Sequence, residues 1–197
     1  KVVVDNTFYS PIYQRPIEDG ADIVLHSATK YLAGHNDVLA GVVVTDSTDL
    51  YEKLFYNLNT TGAVLSPFDS YQLIRGLKTL SLRMERSTTN AQEIVTFLEQ
   101  SPAVKEVLYT GRGGMISFKV ADEKRIPHIL NTLKVFSFAE SLGGVESLIT
   151  YPTTQTHADI PAEVRHSYGL TDDLLRLSIG IEDARDLIED LRQALEG

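Results

Sequence analysis

The chain has 197 residues, of which 43% are hydrophobic and 23% charged, the composition of an ordinary globular protein with one large or two small domains. Its formal net charge is −9 without any Lys/Arg stripe, which argues against a nucleic-acid partner. The absence of cysteine excludes disulfides and thiolate chemistry and fits a reducing cytoplasm. Since no apolar run approaches the roughly 18 residues of a membrane span, we expect a cytoplasmic protein that does not insert into membranes.

Three short apolar segments predict strands at the start of the chain, over Val2–Asp5, Ala21–Leu25 and Gly41–Thr45. Their hydrophobicity is nearly continuous rather than alternating, which is typical of a sheet covered on both faces, and the first of them has the pattern of a central parallel strand. Because the sequence starts at Lys1 inside the first of these strands, we expect this chain to be the C-terminal part of a longer protein. The missing N-terminal half is then expected to supply the rest of the sheet.

The first helical pattern predicts a short helix over Asp49–Asn57, and a second begins at Ser66. Ser66 is a suitable N-cap, Pro67 suits the first helical position, and Asp69 lies in the first turn, where a negative charge is favourable. These three residues together therefore predict a helix that starts at Pro67.

A long helical pattern continues from this start to Leu98, where Ser101-Pro102 ends it. It predicts a helix of about 34 residues, on the order of 50 Å long, with a bend expected at Gly76. Since so long a helix often links two domains, we place a domain boundary near residue 80, between residues 1–80 and residues 81–197.

The remainder has the pattern of a mixed α+β domain. Its segments are strands over Val104–Tyr109, Met115–Val120, Val135–Leu142 and Leu174–Ile181, and helices over Ile126–Leu133 and Asp183–Leu195. The glycine-rich segment Gly111–Gly114 lacks the Lys-Ser/Thr pair of a phosphate-binding loop, so it predicts a hairpin turn.

Lys30 is the first candidate for chemistry, because it follows a buried strand directly after two hydroxyl residues, Ser27 and Thr29. Lysine is almost never fully buried without a partner. One explanation is an exposed lysine at a strand end. The other is an aldehyde cofactor, pyridoxal phosphate, bound as a Schiff base to Lys30 with the two hydroxyls donating to its phosphate. These residues alone leave both explanations open.

Asp5 and Arg176 are the second and third candidates. Asp5 ends an apolar strand, as does the segment of Lys30, and ligands bind at this rim of open α/β sheets. A carboxylate there can keep a pyridine nitrogen protonated, although Asp5 can also form an Asx turn or a helix cap. Side chains alternate between the two faces of a strand, so Arg176 lies on the face opposite to its apolar neighbours. Its guanidinium group can therefore bind a carboxylate or form a surface salt bridge. The spacing of His157 and Asp159 does not predict a metal site.

A series of motifs extends over essentially the whole chain in a fixed order. They are Val4-Asp5-Asn6-Thr7-Phe8, Ser27-Ala28-Thr29-Lys30-Tyr31, Gly34-His35-Asn36-Asp37, Arg75-Gly76-Leu77-Lys78-Thr79-Leu80, Glu140-Ser141-Leu142-Gly143-Gly144-Val145-Glu146-Ser147 and Leu175-Arg176-Leu177-Ser178-Ile179-Gly180. With these motifs the chain resembles the cystathionine γ-synthase and γ-lyase family, the pyridoxal-phosphate enzymes of Cys/Met metabolism.

The resemblance implies an α/β fold. Residues 1–80 would be the second part of the large, PLP-binding domain of a fold type I enzyme, similar to aspartate aminotransferase, and residues 81–197 a smaller α+β C-terminal domain. It also implies a homotetramer built as a dimer of dimers. The active site would then need groups from the N-terminal half and from a neighbouring subunit.

The resemblance also assigns roles to individual residues. Lys30 would be the catalytic Schiff-base lysine, and the remaining cofactor-binding residues would be Asp5 at the ring nitrogen, Thr7 against the ring, and Ser27 and Thr29 at the phosphate. Arg176 would bind the substrate α-carboxylate. Further substrate-binding residues would be Ser141, Thr156 and Glu140, of which Glu140 favours members that act on cystathionine at its γ-carbon.

The function implied is that of a PLP-dependent carbon–sulfur lyase of transsulfuration. It would cleave cystathionine by γ-elimination to cysteine, 2-oxobutyrate and ammonia. The same residues would serve a cystathionine β-lyase or a cystathionine γ-synthase, which joins an O-acylhomoserine to cysteine. A non-catalytic fragment or regulatory module is the alternative of another class, and the intact set of Asp5, Lys30 and Arg176 argues against it.

Overall fold

A computed structural model describes all residues from Lys1 to Gly197, and these form two compact units, Lys1–Leu82 and Arg83–Gly197. The identification of the first with part of a PLP-binding domain and of the second with a C-terminal domain stays a prediction. None of the helices has both the length and the apolarity needed to cross a membrane.

The first unit contains a three-stranded sheet of β1 (Val3–Asp5), β2 (Ile23–Ser27) and β3 (Gly41–Val44), in that order. The three predicted strands are confirmed. Strands β1 and β2 are parallel, with Asp5 opposite Leu25, whereas β3 runs antiparallel to β2. Val3 and Val43 remain 53% and 50% exposed, so this chain alone does not cover both faces of the sheet. Because β1 and β2 are parallel, their carboxyl ends lie at the same edge.

Three helices accompany this sheet: α1 (Ser10–Tyr13), α2 (Thr48–Thr61) and α3 (Pro67–Leu77). Helix α1 was not predicted from the sequence. Helix α2 is longer than the predicted Asp49–Asn57 at both ends. Ser47 caps its start by accepting a hydrogen bond from Leu50 N, and Gly62 ends it with a left-handed φ of 71°.

The predicted helical stretch from Pro67 to Leu98 is present, but the prediction that it forms a single helix with a bend at Gly76 is wrong. Helix α3 starts as predicted, with Asp69 N donating to Ser66 Oγ over 3.1 Å, but it ends at Leu77, and α4 (Leu80–Gln100) begins anew. Thr79 N donates to Gly76 O, three residues back, so the last turn tightens and the helical ladder stops. Gly76 itself packs against backbone, because a Cβ at this position would lie 2.3 Å from Ala33 O.

The second unit contains a five-stranded sheet in the order β4-β5-β8-β7-β6. Its strands are β4 (Val104–Leu108), β5 (Met115–Val120), β6 (Ser137–Phe138), β7 (Leu148–Thr150) and β8 (Leu174–Ser178). Only β6 and β7 are parallel neighbours. The helices of this unit besides α4 are α5 (Ile126–Thr132), α6 (Ala162–Ser167) and α7 (Ala184–Glu196), and a 3₁₀ turn covers Glu123–Arg125.

The core of the second unit lies between this sheet and its long helices. Its fully buried side chains come from α4, α5, α7 and the central strands, and include Ala91, Ile94, Leu98, Ile116, Phe118, Ile149, Leu175, Leu177, Leu187 and Leu191. The predicted strands β4, β5 and β8 and helices α5 and α7 are confirmed, and the glycine-rich segment is a hairpin connection between antiparallel β4 and β5.

The predicted strand Val135–Leu142 is wrong over most of its length, because only Ser137 and Phe138 pair as strand β6. The backbone amides of Lys134, Val135 and Phe136 instead donate to the carboxylate of Asp190 on α7, at 2.8, 2.7 and 3.0 Å. These amides are therefore satisfied by a side chain and not by a neighbouring strand. Strand β7 and helix α6 were not predicted, since both are too short for a periodic signal.

Candidate functional site

The carboxyl edge of β1 and β2 brings three predicted cofactor-binding residues together. Asp5 Oδ1 accepts hydrogen bonds from Thr7 N at 3.0 Å and from Thr7 Oγ1 at 2.6 Å, so Asp5 forms the local turn that its position in the sequence allows. Thr7 Oγ1 in turn accepts from Ser27 N at 2.8 Å. The ends of the two parallel strands are therefore joined through one hydroxyl.

Lys30 lies in the turn that follows β2 at this same edge. Its backbone N donates to Ser27 O at 3.2 Å, its carbonyl accepts from Gly34 N at 2.8 Å, and the residue is partly buried. The lysine thus stands directly after the strand, as predicted. The Asp5 carboxylate, the Thr7 hydroxyl and the backbone of Lys30 thus lie at one edge of the sheet, and these residue types fit the groups of pyridoxal phosphate.

Thr29 has a structural use within the chain. Its hydroxyl accepts from Ala40 N at 3.0 Å and donates to Ala40 O at 3.3 Å, and Thr29 N donates to the same carbonyl at 3.1 Å. These bonds tie the turn of Lys30 to the residue that precedes β3. The predicted role of this hydroxyl at the phosphate therefore competes with its bonds to Ala40.

His26 is a buried titratable residue of this unit to which the sequence pattern assigned no role. It lies on β2 among the apolar residues that line a groove of about 430 Å³, including Val24, Leu32 and Val42. Burial lowers the pKa of His26, while the charge of Asp5 and the backbone of Asn6 act in the opposite direction. His26 lies two residues after the buried Val24 on β2, so the two side chains lie on the same face of the strand.

Arg176 lies in the middle of β8 in the second unit. Leu175 and Leu177 beside it are fully buried, as the predicted alternation requires, and Arg176 is partly buried. Its Nη2 donates to Ser141 O at 3.2 Å and to Thr150 Oγ1 at 3.1 Å. Both acceptors are neutral oxygens, so these two bonds orient the guanidinium without neutralising its charge.

Ser141 and Thr150 contact Arg176 from different parts of the chain. Thr150 lies opposite Arg176 in the β7–β8 pair, and its hydroxyl donates to Ala139 O at 2.9 Å. Ser141 has a φ of 114°, which a residue other than glycine adopts only at a cost of about 1–3 kcal/mol. The role of Thr150 depends on strand pairing with β8, so no local sequence pattern indicates it.

The remaining two predicted substrate residues do not join this hydrogen-bonded group. Glu140 is exposed, immediately before Ser141. Thr156 is also exposed, and its hydroxyl pairs with His157 Nδ1 at 2.7 Å. The structure contains no group of three or more His, Asp or Glu side chains arranged to hold a metal ion.

Comparison with known proteins gives consistent matches. A curated relative, the cystathionine γ-synthase/O-acetylhomoserine (thiol)-lyase of Bacillus subtilis (strain 168), is 59% identical over 194 residues, which is 98% of this chain and 52% of the relative. The cystathionine β-lyase of Lactococcus lactis subsp. cremoris (strain MG1363) is 50% identical, and the match covers 98% of this chain and 55% of that relative.

Solved structures agree with this result. The crystal structure of cystathionine γ-lyase from Lactobacillus plantarum complexed with L-serine superimposes with a TM-score of 0.93 at 41% identity, and covers 98% of this chain and 55% of that chain. The chain thus spans about half the length of the proteins it matches. The family model described as Cys/Met metabolism PLP-dependent enzyme matches residues 1–196. The chain therefore belongs to the family of PLP-dependent enzymes of Cys/Met metabolism.

Proposed function

We propose that this chain carries the catalytic lysine and the substrate-binding arginine of a cystathionine γ-lyase. The whole enzyme would cleave cystathionine with water to cysteine, 2-oxobutyrate and ammonia. The observation that carries the proposal is the set of Asp5, Thr7 and Ser27, hydrogen-bonded to one another beside Lys30 at one sheet edge. Such an arrangement suits a cofactor with an aldehyde, a ring nitrogen and a phosphate.

Pyridoxal phosphate would be held by the residues of this edge. Lys30 would bond it covalently through its amine, Asp5 would pair with the ring nitrogen, Thr7 would lie against the ring, and Ser27 and Thr29 would donate to the phosphate. When bound, the cofactor supplies an electron sink for the negative charge that develops at the substrate Cα.

Lys30 is also the proposed acid and base of the reaction. Its unprotonated amine would remove the proton from the substrate Cα and move protons between Cα and Cβ, so that the bond from Cγ to sulfur can break. A positioned general base of this kind contributes about 10²- to 10⁴-fold to the rate.

Arg176 is the proposed binding group for the substrate α-carboxylate. A guanidinium fork matches a carboxylate with two parallel hydrogen bonds, which fixes the orientation of the amino acid. The bonds of Nη2 to Ser141 O and Thr150 Oγ1 support this role, because they orient the fork before a substrate arrives. We assign Glu140 and Thr156 to the rest of the substrate, since cystathionine carries a second ammonium group that a carboxylate can bind.

Cystathionine γ-synthase is the second candidate function. It is favoured by the 59% identity to the relative that carries this name. The same lysine and arginine would act, but an O-acylhomoserine would lose its acyl group and cysteine would add at the γ-carbon. β-Lyase activity, which gives homocysteine, pyruvate and ammonia from cystathionine, would use the same groups as well.

Product analysis separates these activities in the intact protein with bound cofactor. Cystathionine alone should give cysteine and 2-oxobutyrate, whereas homocysteine and pyruvate would identify a β-lyase. Net formation of cystathionine from O-acetylhomoserine and cysteine, without cleavage of added cystathionine, would identify a γ-synthase. Absence of both cofactor and products would overturn the proposal in favour of a non-catalytic module.

We further propose that the working enzyme contains the N-terminal half of the protein and assembles as a cytoplasmic homotetramer. The matched relatives are about twice as long as this chain, which supports the first part of this proposal, whereas the tetramer rests on the family resemblance alone. Native mass measurement of the intact protein tests the assembly, and a monomeric active enzyme would contradict it.

A further inference from the structure

We infer that Glu182 is a positioning residue for substrate binding, which acts through Ser147 and the loop Ser141–Ser147 on the guanidinium of Arg176. The inference rests on the proposed role of Arg176 as the binding group for the α-carboxylate. Glu182 lies between β8 and α7, outside the residues to which the sequence assigned any chemistry.

The carboxylate of Glu182 binds one residue with both of its oxygens. Oε1 accepts from Ser147 N at 2.5 Å and Oε2 accepts from Ser147 Oγ at 2.9 Å. Ser147 is fully buried. Without the carboxylate, a buried amide and a buried hydroxyl would therefore lose their acceptors, which costs more than the net value of an ordinary hydrogen bond.

Three further hydrogen bonds attach the same loop to the segment that leaves β8. Gly180 N donates to Ser147 Oγ at 2.9 Å, Ile181 N to Val145 O at 2.9 Å, and Gly143 N to Ser178 Oγ at 2.8 Å. The fit is close, because a Cβ at Gly180 would lie 2.2 Å from Val145 O. The end of the loop near Ser147 is thus fixed to the strand that carries Arg176.

The other end of the loop contacts Arg176. Ser141 O accepts from Arg176 Nη2, and Ser141 holds a φ of 114°. An unfavourable backbone conformation persists only where the surroundings maintain it. Loss of the Glu182 bonds should let the loop relax at Ser141, so that Arg176 loses one of the two acceptors that orient its Nη2.

Asp190 provides a matched control for a purely structural role. It is also a buried carboxylate of the second unit that accepts backbone amides, those of Lys134, Val135 and Phe136. No hydrogen bond of Asp190 leads to the loop Ser141–Ser147. Its replacement should therefore reduce stability without a specific effect on substrate binding.

The test measures KM and kcat for the amino-acid substrate on the intact, PLP-loaded protein. Glu182→Ala should raise KM about tenfold, which corresponds to 1.4 kcal/mol, and change kcat less than about threefold. Glu182→Gln should recover most of the loss, because the amide oxygen can still accept from Ser147 N and the amide nitrogen can donate to Ser147 Oγ. Asp190→Ala should lower the thermal midpoint with KM unchanged.

A double variant connects the effect to Arg176. In an Arg176→Lys background, where KM is already raised, Glu182→Ala should change KM by less than about twofold, since the fork that it orients is gone. If Glu182→Ala does not fold, Ser147→Ala removes one of the two carboxylate bonds together with the acceptor of Gly180 N, and should raise KM about threefold.

The outcomes distinguish the inference from the function on which it rests. If Arg176→Lys leaves KM unchanged, the proposed carboxylate-binding role fails, and the inference fails with it. If Arg176→Lys raises KM and Glu182→Ala does not, the inference alone is overturned. Equal increases of KM in Glu182→Ala and Asp190→Ala would also overturn it, because they would indicate a general loss of structure.

Discussion

Thr7 fixes the carboxylate of Asp5 at the end of β1 with two hydrogen bonds to a single oxygen, one from its amide at 3.0 Å and one from its hydroxyl at 2.6 Å. The same hydroxyl accepts from Ser27 N, at the end of β2. The hydroxyl of Thr7 therefore connects Asp5, the proposed partner of the ring nitrogen, with the segment that leads to Lys30.

Thr7→Val should weaken cofactor binding by about tenfold, because Asp5 loses a donor and Ser27 N loses its acceptor at a site where an unmade bond costs about 1–3 kcal/mol. Thr7→Ser keeps the hydroxyl and serves as the control. Titration of the cofactor-free intact protein with pyridoxal phosphate measures the effect. Equal affinity of the valine variant and the wild type would contradict this role of Thr7.

Lys30→Ala should abolish the visible absorbance of the bound cofactor and lower turnover by at least about 10³-fold, since both the covalent attachment and the general base are lost. Lys53→Ala is the control, because Lys53 is an exposed lysine on α2 that pairs with Asp49. Absorption spectra and product assays on the intact protein measure both effects. A Lys30→Ala variant that kept colour and turnover would refute the assignment.

Thr150→Val should raise KM for the amino-acid substrate by about three- to tenfold, because Arg176 Nη2 loses one of its acceptors and Ala139 O loses a donor. The methyl group keeps the volume of the side chain, so packing changes little. Thr150→Ser retains the hydroxyl and should behave as the wild type. A valine variant with unchanged KM would show that Ser141 O alone orients the guanidinium.

Much of the candidate site could be predicted because its signals are local. Asp5 and Lys30 each follow a short apolar run, and parallel strands bring such ends to one edge. Thr150, Ser147 and Glu182 were missed for the opposite reason. Their roles arise from strand pairing and from a loop contact across 35 residues of sequence. Although Ser147 ends one of the quoted motifs, no local pattern indicates these contacts.

The errors in the predicted secondary structure also come from contacts between residues that are far apart in the sequence. The helical periodicity runs through Gly76 without a break, and the interruption after Leu77 is accompanied by the packing of Gly76 on the backbone of Ala33. The segment near Val135 is apolar enough for a strand, but a carboxylate 55 residues later in the chain binds its amide. Such long-range contacts override local propensity.

Gly76→Ala tests the close contact between α3 and the turn after Lys30. Alanine would gain about 0.8–1.0 kcal/mol in helix propensity, but its Cβ would lie 2.3 Å from Ala33 O and 2.9 Å from Leu32 O. Since both atoms are backbone, we expect a net loss of about 1–3 kcal/mol, measured by the thermal midpoint of the intact protein.

Gly41→Ala is the matched control for this substitution, because its Cβ would meet only His26 O at 3.9 Å. Its stability should stay within about 0.5 kcal/mol of the wild type. A stabilising effect of Gly76→Ala would contradict this expectation, because it would mean that the turn after Lys30 can move away from the added Cβ at little energetic cost.

His26 should make stability depend on pH. Burial lowers its pKa in the folded protein, so the unfolded chain takes up a proton first as the pH falls below the ordinary value of about 6.5. The stabilisation is therefore complete above that value and is lost as the pH falls toward the lower pKa of the folded state.

His26→Gln should make the free energy of unfolding less dependent on pH. His128→Gln, at an exposed position on α5, is the control and should show the same pH dependence as the wild type. Urea unfolding of the intact protein between about pH 5 and 8 measures the free energy of unfolding. A wild type whose stability rises on acidification over this range would contradict the assignment to His26.

The hydrogen bonds around Lys30 also restrict how its amine can move. Its backbone is anchored on both sides, through Lys30 N to Ser27 O and through Gly34 N to Lys30 O, and Thr29 is fixed to Ala40. The amine can then travel only by rotation about the bonds of its flexible four-carbon side chain. Rotamer changes take on the order of picoseconds to nanoseconds, whereas a median enzyme turns over about ten times per second. In the proposed mechanism, movement of the Lys30 amine therefore needs no loop opening, so this movement should not limit the rate.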